Sequence, residues 1–242
     1  MHNYCSKKFS SASKPRPHHI WQDGDIAFLK TCNAFSPRDY NELIASGYLH
    51  EKATCHPVII LKAHSGGAII TPISAFSSGA DNNFLPPWQQ FYHRHKSLDD
   101  FRAFIGTARP DNKHAFLHLA DPKMKMPKPR ASWVYLRNFW AVPNSVLGWF
   151  NKAPSLLQVS KDSLAQVRQD INQKYGSQLR DALDRLGAFP TAAPTSAPAP
   201  NYPHPESYAA PVMTISSQQA TGKVFMTYSK VVSGTSGAVI TQ

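Results

Sequence analysis

Two aliphatic runs near the middle of the sequence constrain its fold most. VIILK covers residues 58 to 62, AIITPIS covers residues 68 to 74, and the five residues between them end in two glycines. Runs of β-branched and aliphatic side chains favour strands, and paired glycines favour the tight turn of a hairpin. Pro72 has no backbone N–H to donate, so it marks an edge, a bulge or a strand end. The sequence therefore predicts an antiparallel β-hairpin here.

Other segments predict more strands and one long helix. Residues 26 to 29, 115 to 120 and 132 to 143 favour strands because β-branched and aromatic residues are frequent in them. Short helices are expected after Ser36 and over residues 97 to 106. A long amphipathic helix is predicted between Ser160 and Gly187, because seven large side chains recur three or four residues apart: Leu164, Val167, Ile171, Tyr175, Leu179, Leu183 and Leu186. The expected fold class is mainly β (α+β).

Composition divides the chain into four parts. Residues 1 to 19 hold four basic side chains and no acid, which is typical of a disordered basic arm. Residues 20 to 188 carry the predicted strands and helices. Residues 189 to 211 form a Pro/Ala/Ser-rich linker, and residues 212 to 242 form a strand-like tail with too few apolar residues for a domain of its own.

Charge and cysteine content narrow the partners and the cofactors. The net charge of +11 favours a polyanionic partner, and RNA ranks first. The three cysteines are far apart, so neither a disulfide framework nor a zinc knuckle is predicted. His114 and His118 have no third ligand nearby, and we predict no metal and no cofactor. No secretory signal or membrane span is predicted, so we expect an intracellular, cytoplasmic protein.

Five segments together resemble a known family. They are GDIAFLK (24 to 30), HPVIILK (56 to 62), AIITPISAF (68 to 76), YLRNFWAVPNSVL (135 to 147) and LLQVSKDSLAQVRQDI (156 to 171). Their order resembles that of the PemK/MazF toxin endoribonucleases over residues 21 to 186, with two insertions. His-Pro before the second strand is similar to a branch of that superfamily found in fungi. The resemblance implies a small SH3-like open barrel with a closing amphipathic helix, and a homodimer is also expected.

The same resemblance implies a metal-independent endoribonuclease acting on single-stranded RNA. The family places an arginine before the proline of the second strand and a Thr or Ser at the end of the third. These positions correspond to His56 and Ser74 in this sequence. Attack of the 2'-hydroxyl on the adjacent phosphate needs a proton acceptor and donors for the charge on phosphate oxygens. Histidine suits proton transfer but lacks the permanent charge of arginine, which leaves a structural His56 as the alternative.

Basic side chains beside aromatic residues are the candidate RNA contacts. Arg94 and Lys96 belong to YHRHK (92 to 96), which suits phosphate contact and base stacking. The densest basic run lies over residues 122 to 130, and Arg137 follows in the next predicted strand. The predicted RNA-binding set is therefore Arg94, Lys96, Lys123, Lys125, Lys128, Arg130 and Arg137.

Two other interpretations fit the same composition. The first is a noncatalytic protein that coats viral or cellular double-stranded RNA, because the tail is similar to that of the proline-alanine-serine-rich proteins of some fungal viruses. The second is a protein-interaction module whose proline-rich segment is bound by a partner. Coating predicts a steep dependence on salt and little preference between duplex and single strand.

Overall fold

The computed structural model describes residues 19 to 111 and 113 to 190, which form one antiparallel sheet and one long helix. The predicted basic arm up to residue 18, and the predicted linker and tail from residue 191, lie outside the described residues. The strands are β1 (Asp25–Leu29), β2 (His56–Ala63), β3 (Gly67–Ser74), β4 (Phe101–Ala103), β5 (Trp133–Tyr135), β6 (Trp140–Pro143), β7 (Leu147–Gly148) and β8 (Leu157–Gln158). The α-helices are α1 (Pro37–Tyr40) and α2 (Lys161–Gly187).

The sheet is open, and its order confirms a mainly β, α+β fold. The strands follow the order β4-β5-β3-β2-β1-β7, with β6 also paired to β3 and β8 also paired to β1. Strands β4 and β7 are therefore its two ends. In the described ranges, no helix is both long and apolar enough to cross a membrane.

The predicted hairpin is confirmed and forms the centre of the sheet. Its turn is closed by the backbone N–H of His64, which donates to the carbonyl of Gly67 at 2.8 Å. Gly67 is required there, because a Cβ at this position would lie 2.5 Å from the carbonyl oxygen of Val142 on β6. The β2–β3 ladder ends at the pair Val58 and Pro72, after which β3 pairs with β5 instead.

The predicted strand over residues 132 to 143 is interrupted. Strands β5 and β6 both pair with β3, but they are separated by four residues. Within that interval the Thr71 hydroxyl donates to the carbonyl of Asn138 at 2.9 Å. The side chain of Thr71 is fully buried, and this bond satisfies its hydroxyl. Arg137, in the interval between the two strands, is exposed.

Two predicted elements are wrong. The helix expected over residues 97 to 106 is only a single turn, Leu98–Asp100, followed by strand β4. Phe101 and Ala103 are fully buried against Trp133, so tertiary packing decides for a strand. The strand expected over residues 115 to 120 consists only of isolated bridges at Leu117 and Leu119.

Helix α2 covers one face of the sheet and contains a kink. Ser160 caps its start, as predicted, by accepting from the backbone N–H of Ser163 at 3.3 Å. Tyr175, beside Gly176, has the non-helical dihedrals φ −134° and ψ 30°. The kink changes which residues face the sheet: Leu183, predicted to be buried, is 42% exposed. Ala182 is buried instead, whereas Leu186 is buried as predicted.

Candidate nucleic-acid interface

His56 and Ser74 stand at the ends of two neighbouring strands that separate. The β2–β3 register pairs Val58 with Pro72, so two further steps would set His56 opposite Ser74. The ladder stops before that point, because β2 continues beside β1 and β3 continues beside β5. Both residues therefore flank the opening between β2 and β3, and both are half-buried. In the described ranges their side chains do not hydrogen-bond to each other.

The imidazole of His56 is held in one orientation. Its Nδ1 lies 2.7 Å from the carbonyl oxygen of Thr54, which can only accept, so Nδ1 carries the proton and Nε2 is left as a base. Burial lowers the pKa of His56, and the nearby charge of Lys128 lowers it further. The neutral form of His56 is therefore favoured at physiological pH, and the charge of Lys128 acts on its ring.

The backbone next to both residues is strained. Cys55, directly before His56, has φ +63°, and Phe76 and Ser77, shortly after Ser74, have φ +48° and +62°. Residues other than glycine adopt these left-handed conformations at an energetic cost, and such strain clusters at functional sites. The Ser74 hydroxyl accepts from the backbone N–H of Phe76 at 3.1 Å, which fixes the start of this strained turn.

Residues 91 to 96 combine exposed aromatic rings with cations. Phe91 and Tyr92 are 70% and 80% exposed, and their rings make an edge-to-face contact with centroids 5.4 Å apart. The guanidinium carbon of Arg94 lies 4.7 Å from the centroid of the Phe91 ring. Exposed rings next to a cation can stack on bases and contact phosphates at the same time.

Lys96 and Arg137 meet at one cavity of about 400 Å³. The Nζ of Lys96 lies 4.5 Å from the centroid of the Tyr135 ring, and Arg137 lines the same cavity as this ring. Burial lowers the pKa of Lys96, and the positive charge of Arg137 acts in the same direction. The structure thus brings together two of the seven predicted RNA contacts, which are 41 positions apart in the sequence.

The basic run over residues 122 to 130 is held by its backbone and exposes its charges. The Ser132 hydroxyl donates to the carbonyl of Lys128 at 2.8 Å, and the Thr107 hydroxyl donates to the carbonyl of Pro129 at 2.9 Å. The guanidinium carbon of Arg130 lies 4.0 Å from the centroid of the Phe84 ring. All four predicted contacts of this run are exposed: Lys123, Lys125, Lys128 and Arg130.

An aromatic cluster at the β4–β5 end of the sheet supports both basic segments. Its buried part includes Phe101, Trp133 and Tyr135, and partly buried rings from the long β3–β4 connection pack against it. Phe84 of this cluster carries Arg130, and Tyr135 carries Lys96. His93 contacts the cluster through Phe76, with ring centroids 5.2 Å apart. One predicted contact from each segment, Arg130 and Lys96, is therefore anchored on this packed layer.

Three side chains could offer ligand atoms to a metal. One ligand atom each from Asp99, Asp111 and His114 lies within 4.8 Å of the other two. Asp99 is exposed, and His118, the other histidine considered above, is not part of the group. Nothing else in the described residues points to an ion there, so we assign no metal site.

Some residues of this surface were missed in the sequence. Asp100 lines the cavity of Lys96 and Arg137, and Tyr175 lies near Asp100. Burial raises the pKa of the Tyr175 hydroxyl, and the Asp100 carboxylate raises it further. The sequence signal for an irregular helix at Tyr175 was the next residue, Gly176, because a glycine inside a helix marks a possible break.

Comparisons with protein-family models, with curated proteins and with solved structures found no match for this chain.

Proposed function

We propose that the protein binds single-stranded RNA inside the cell, on a basic and aromatic surface around the β4–β5 end of the sheet. The observation that carries this proposal is the exposed Phe91–Tyr92 pair with Arg94 over the Phe91 ring. Unpaired bases have two free faces for stacking, whereas bases in a duplex do not, so exposed rings favour single strands. The net charge of +11 supplies the attraction for the phosphate backbone.

A salt titration tests RNA binding. Fluorescence anisotropy of the full chain with a labelled single strand and with the matching duplex, at rising KCl concentration, gives an affinity and a salt slope for each. We expect both affinities to fall linearly on a logarithmic scale, with the single strand bound more tightly throughout. Equal affinity for the duplex would favour the coating function instead, and failure to bind either RNA would overturn the proposal.

We propose as a second candidate function a metal-independent endoribonuclease on an SH3-like barrel. The strained backbone on both sides of the β2–β3 opening supports it, together with the fixed orientation of His56. In this mechanism Nε2 of His56 takes the proton of the RNA 2'-hydroxyl, and that oxygen attacks the adjacent phosphorus. The bond to the 5'-oxygen breaks, that oxygen takes up a proton from water, and a 2',3'-cyclic phosphate remains. Ser74 and a cation, Lys128 or Arg137, stabilise the phosphate oxygens.

Cleavage of labelled single-stranded RNA in EDTA, between about pH 5 and pH 8, tests the nuclease function. We expect cleavage by the wild type and none by a His56→Ala, Ser74→Ala double variant. The control is a His118→Ala, Ser155→Ala double variant, which makes the same changes at exposed positions of the described surface. Intact RNA with the wild type, or equal cleavage by both double variants, would exclude His56 and Ser74 as the catalytic pair.

A further inference from the structure

The cavity beside Lys96 and Arg137 has the size and polarity of a small-ligand site. Its volume of about 400 Å³ falls within the range of small-molecule pockets. One side of the cavity is formed by residues 95 to 100, which lead into β4. The other side is formed by residues 135 to 138, at the end of β5 and directly after it. Its lining is polar apart from the Tyr135 ring, and it consists of His95, Lys96, Ser97, Asp100, Tyr135, Arg137 and Asn138.

The single acid of this lining, Asp100, is already paired with a cation of helix α2. The Nζ of Lys174 lies 3.0 Å from Oδ1 of Asp100. Within residues 19 to 111 and 113 to 190, neither Lys96 nor Arg137 forms an ion pair with an acid. The cavity therefore holds two positive charges without a counter-charge of their own.

The two cations lie beside one aromatic residue. Lys96 lies over the face of the Tyr135 ring, and Arg137 lines the same cavity beside it. Two like charges at one cavity repel each other, and burial of Lys96 adds to the cost. An anion between them would offset both costs, and the guanidinium fork of Arg137 suits two phosphate oxygens.

The helix beside the cavity is deformed where it contacts the lining. Tyr175 is the one described residue of α2 with non-helical dihedrals, and it directly follows Lys174, which pairs with Asp100. A break in a long helix has an energetic cost and is often found near functional sites. The pairing of Asp100 with Lys174 leaves the positive charge of the cavity open to a ligand.

We propose that this cavity binds a phosphate monoester, either at the end of an RNA strand or on a free nucleotide. Lys96 and Arg137 would contact the phosphate, and the Ser97 hydroxyl and the Asn138 amide are further donors in the lining. A monoester carries nearly two negative charges at neutral pH, whereas an internal phosphodiester carries one, so two cations favour the monoester. As far as it concerns RNA ends, this inference rests on the proposed RNA binding.

Binding to chemically defined ends tests the inference. Four ligands are compared with the full chain at constant salt: a short single-stranded RNA with a 5'-phosphate, the same RNA with a 3'-phosphate, the same RNA without a terminal phosphate, and free AMP. Each phosphate-ended RNA carries its label on the opposite end, and the RNA without a phosphate is prepared with the label at either end as the matched reference. We expect a phosphate end to bind roughly tenfold more tightly than a hydroxyl end. This preference should fade as the pH drops below about 6, where the monoester loses a charge.

A Lys96→Met, Arg137→Gln double variant should bind phosphate-ended and hydroxyl-ended RNA equally. Both RNAs should bind more weakly than to the wild type, because the two side chains are also predicted RNA contacts. Met keeps the packing on the Tyr135 ring, Gln keeps a polar side chain at the cavity, and thermal unfolding checks that the variant is folded. The control is Lys152→Gln, Lys161→Gln, which removes two exposed lysines and the same net charge. The preference should remain in this control.

The outcomes separate this inference from the proposed RNA binding. Binding of AMP without any preference among RNA ends would support a free nucleotide as the ligand. Hydroxyl-ended RNA bound as tightly as phosphate-ended RNA, with no binding of AMP, would overturn the inference and leave RNA binding standing. A preference that the double variant keeps would also overturn it. Binding of AMP but of no RNA would overturn the proposed function alone.

Discussion

Arg102 and Asp170 connect the small end of the sheet to the long helix. Nε of Arg102 donates to Oδ2 of Asp170 at 2.7 Å, and the Arg102 side chain is fully buried. Its Nη1 also donates to the carbonyls of Asp99 and Phe101, both at 2.8 Å. This one guanidinium therefore connects residues 99 to 102, beside the cavity, to helix α2.

Loss of the Asp170 charge should destabilise the fold strongly. In Asp170→Asn the buried guanidinium keeps its charge without a counter-ion, so we expect the free energy of unfolding to fall by about 3–5 kcal/mol. The control is Glu42→Gln, which breaks the exposed ion pair with Arg38. Its effect should be much smaller, because solvent screens exposed pairs. Urea titrations of both variants measure this, and equal losses would show that the buried pair has no special importance.

Stability should fall in mild acid partly because of His56. Its pKa is lowered in the folded state, mainly by burial, so the fold favours the neutral ring. That contribution is complete above the ordinary histidine pKa of about 6.5, and it is lost as the pH falls through the lower folded value. Urea titrations at about pH 7.5 and about pH 5.5 should therefore show a smaller loss in His56→Gln than in the wild type. His118→Gln, at an exposed position, should lose as much as the wild type.

Two glycine substitutions should have opposite effects. In Gly67→Ala the new Cβ would lie 2.5 Å from a backbone oxygen and 2.6 Å from the Phe189 ring, so we expect a loss of about 1–3 kcal/mol from overpacking. In Gly187→Ala the new Cβ meets no atom within 4 Å, and alanine favours a helix end by up to about 1 kcal/mol. Thermal unfolding distinguishes them. A stabilised Gly67→Ala variant would show that β3 and β6 are not so closely packed.

The exposed aromatic pair should contribute affinity for single strands. In a Phe91→Ala, Tyr92→Ala double variant we expect single-stranded RNA to bind more weakly by about 1–3 kcal/mol for each base stacked. The salt slope should be unchanged, because no charge is removed. Tyr40→Ala, which removes another exposed ring, should bind like the wild type. A reduced salt slope in the double variant would mean that the rings act by positioning cations and not by stacking.

Local patterns predicted the elements whose own residues decide their structure. The hairpin followed from two aliphatic runs and a Gly-Gly turn, and helix α2 followed from its spacing and its Ser160 cap. Residues 97 to 106 misled the prediction, because Asp99 and Asp100 favour a helix start, whereas Phe101 is buried opposite Tyr135. There the pairing with strand β5, which is distant in the sequence, outweighed the local preference for a helix.

The candidate site was likewise predicted only in part from the sequence. The sequence identified the residue types by charge and by neighbouring aromatic residues, and thus named Lys96, Arg137 and the run over residues 122 to 130. It could not show that Lys96 and Arg137 line one cavity beside Tyr135, or that Asp100 pairs with Lys174 of α2. Such groupings depend on contacts between distant segments, which no short window of sequence contains.

By itself the sequence determined the net charge, the central hairpin, the closing helix and the residue types available to a polyanion, because these depend on composition and short-range periodicity. Only the tertiary structure decided where the β2–β3 ladder ends, how α2 kinks at Tyr175, and which two cations meet at the cavity. Those features result from packing between segments far apart in the chain, where burial and electrostatic repulsion act across the fold and outweigh local preference.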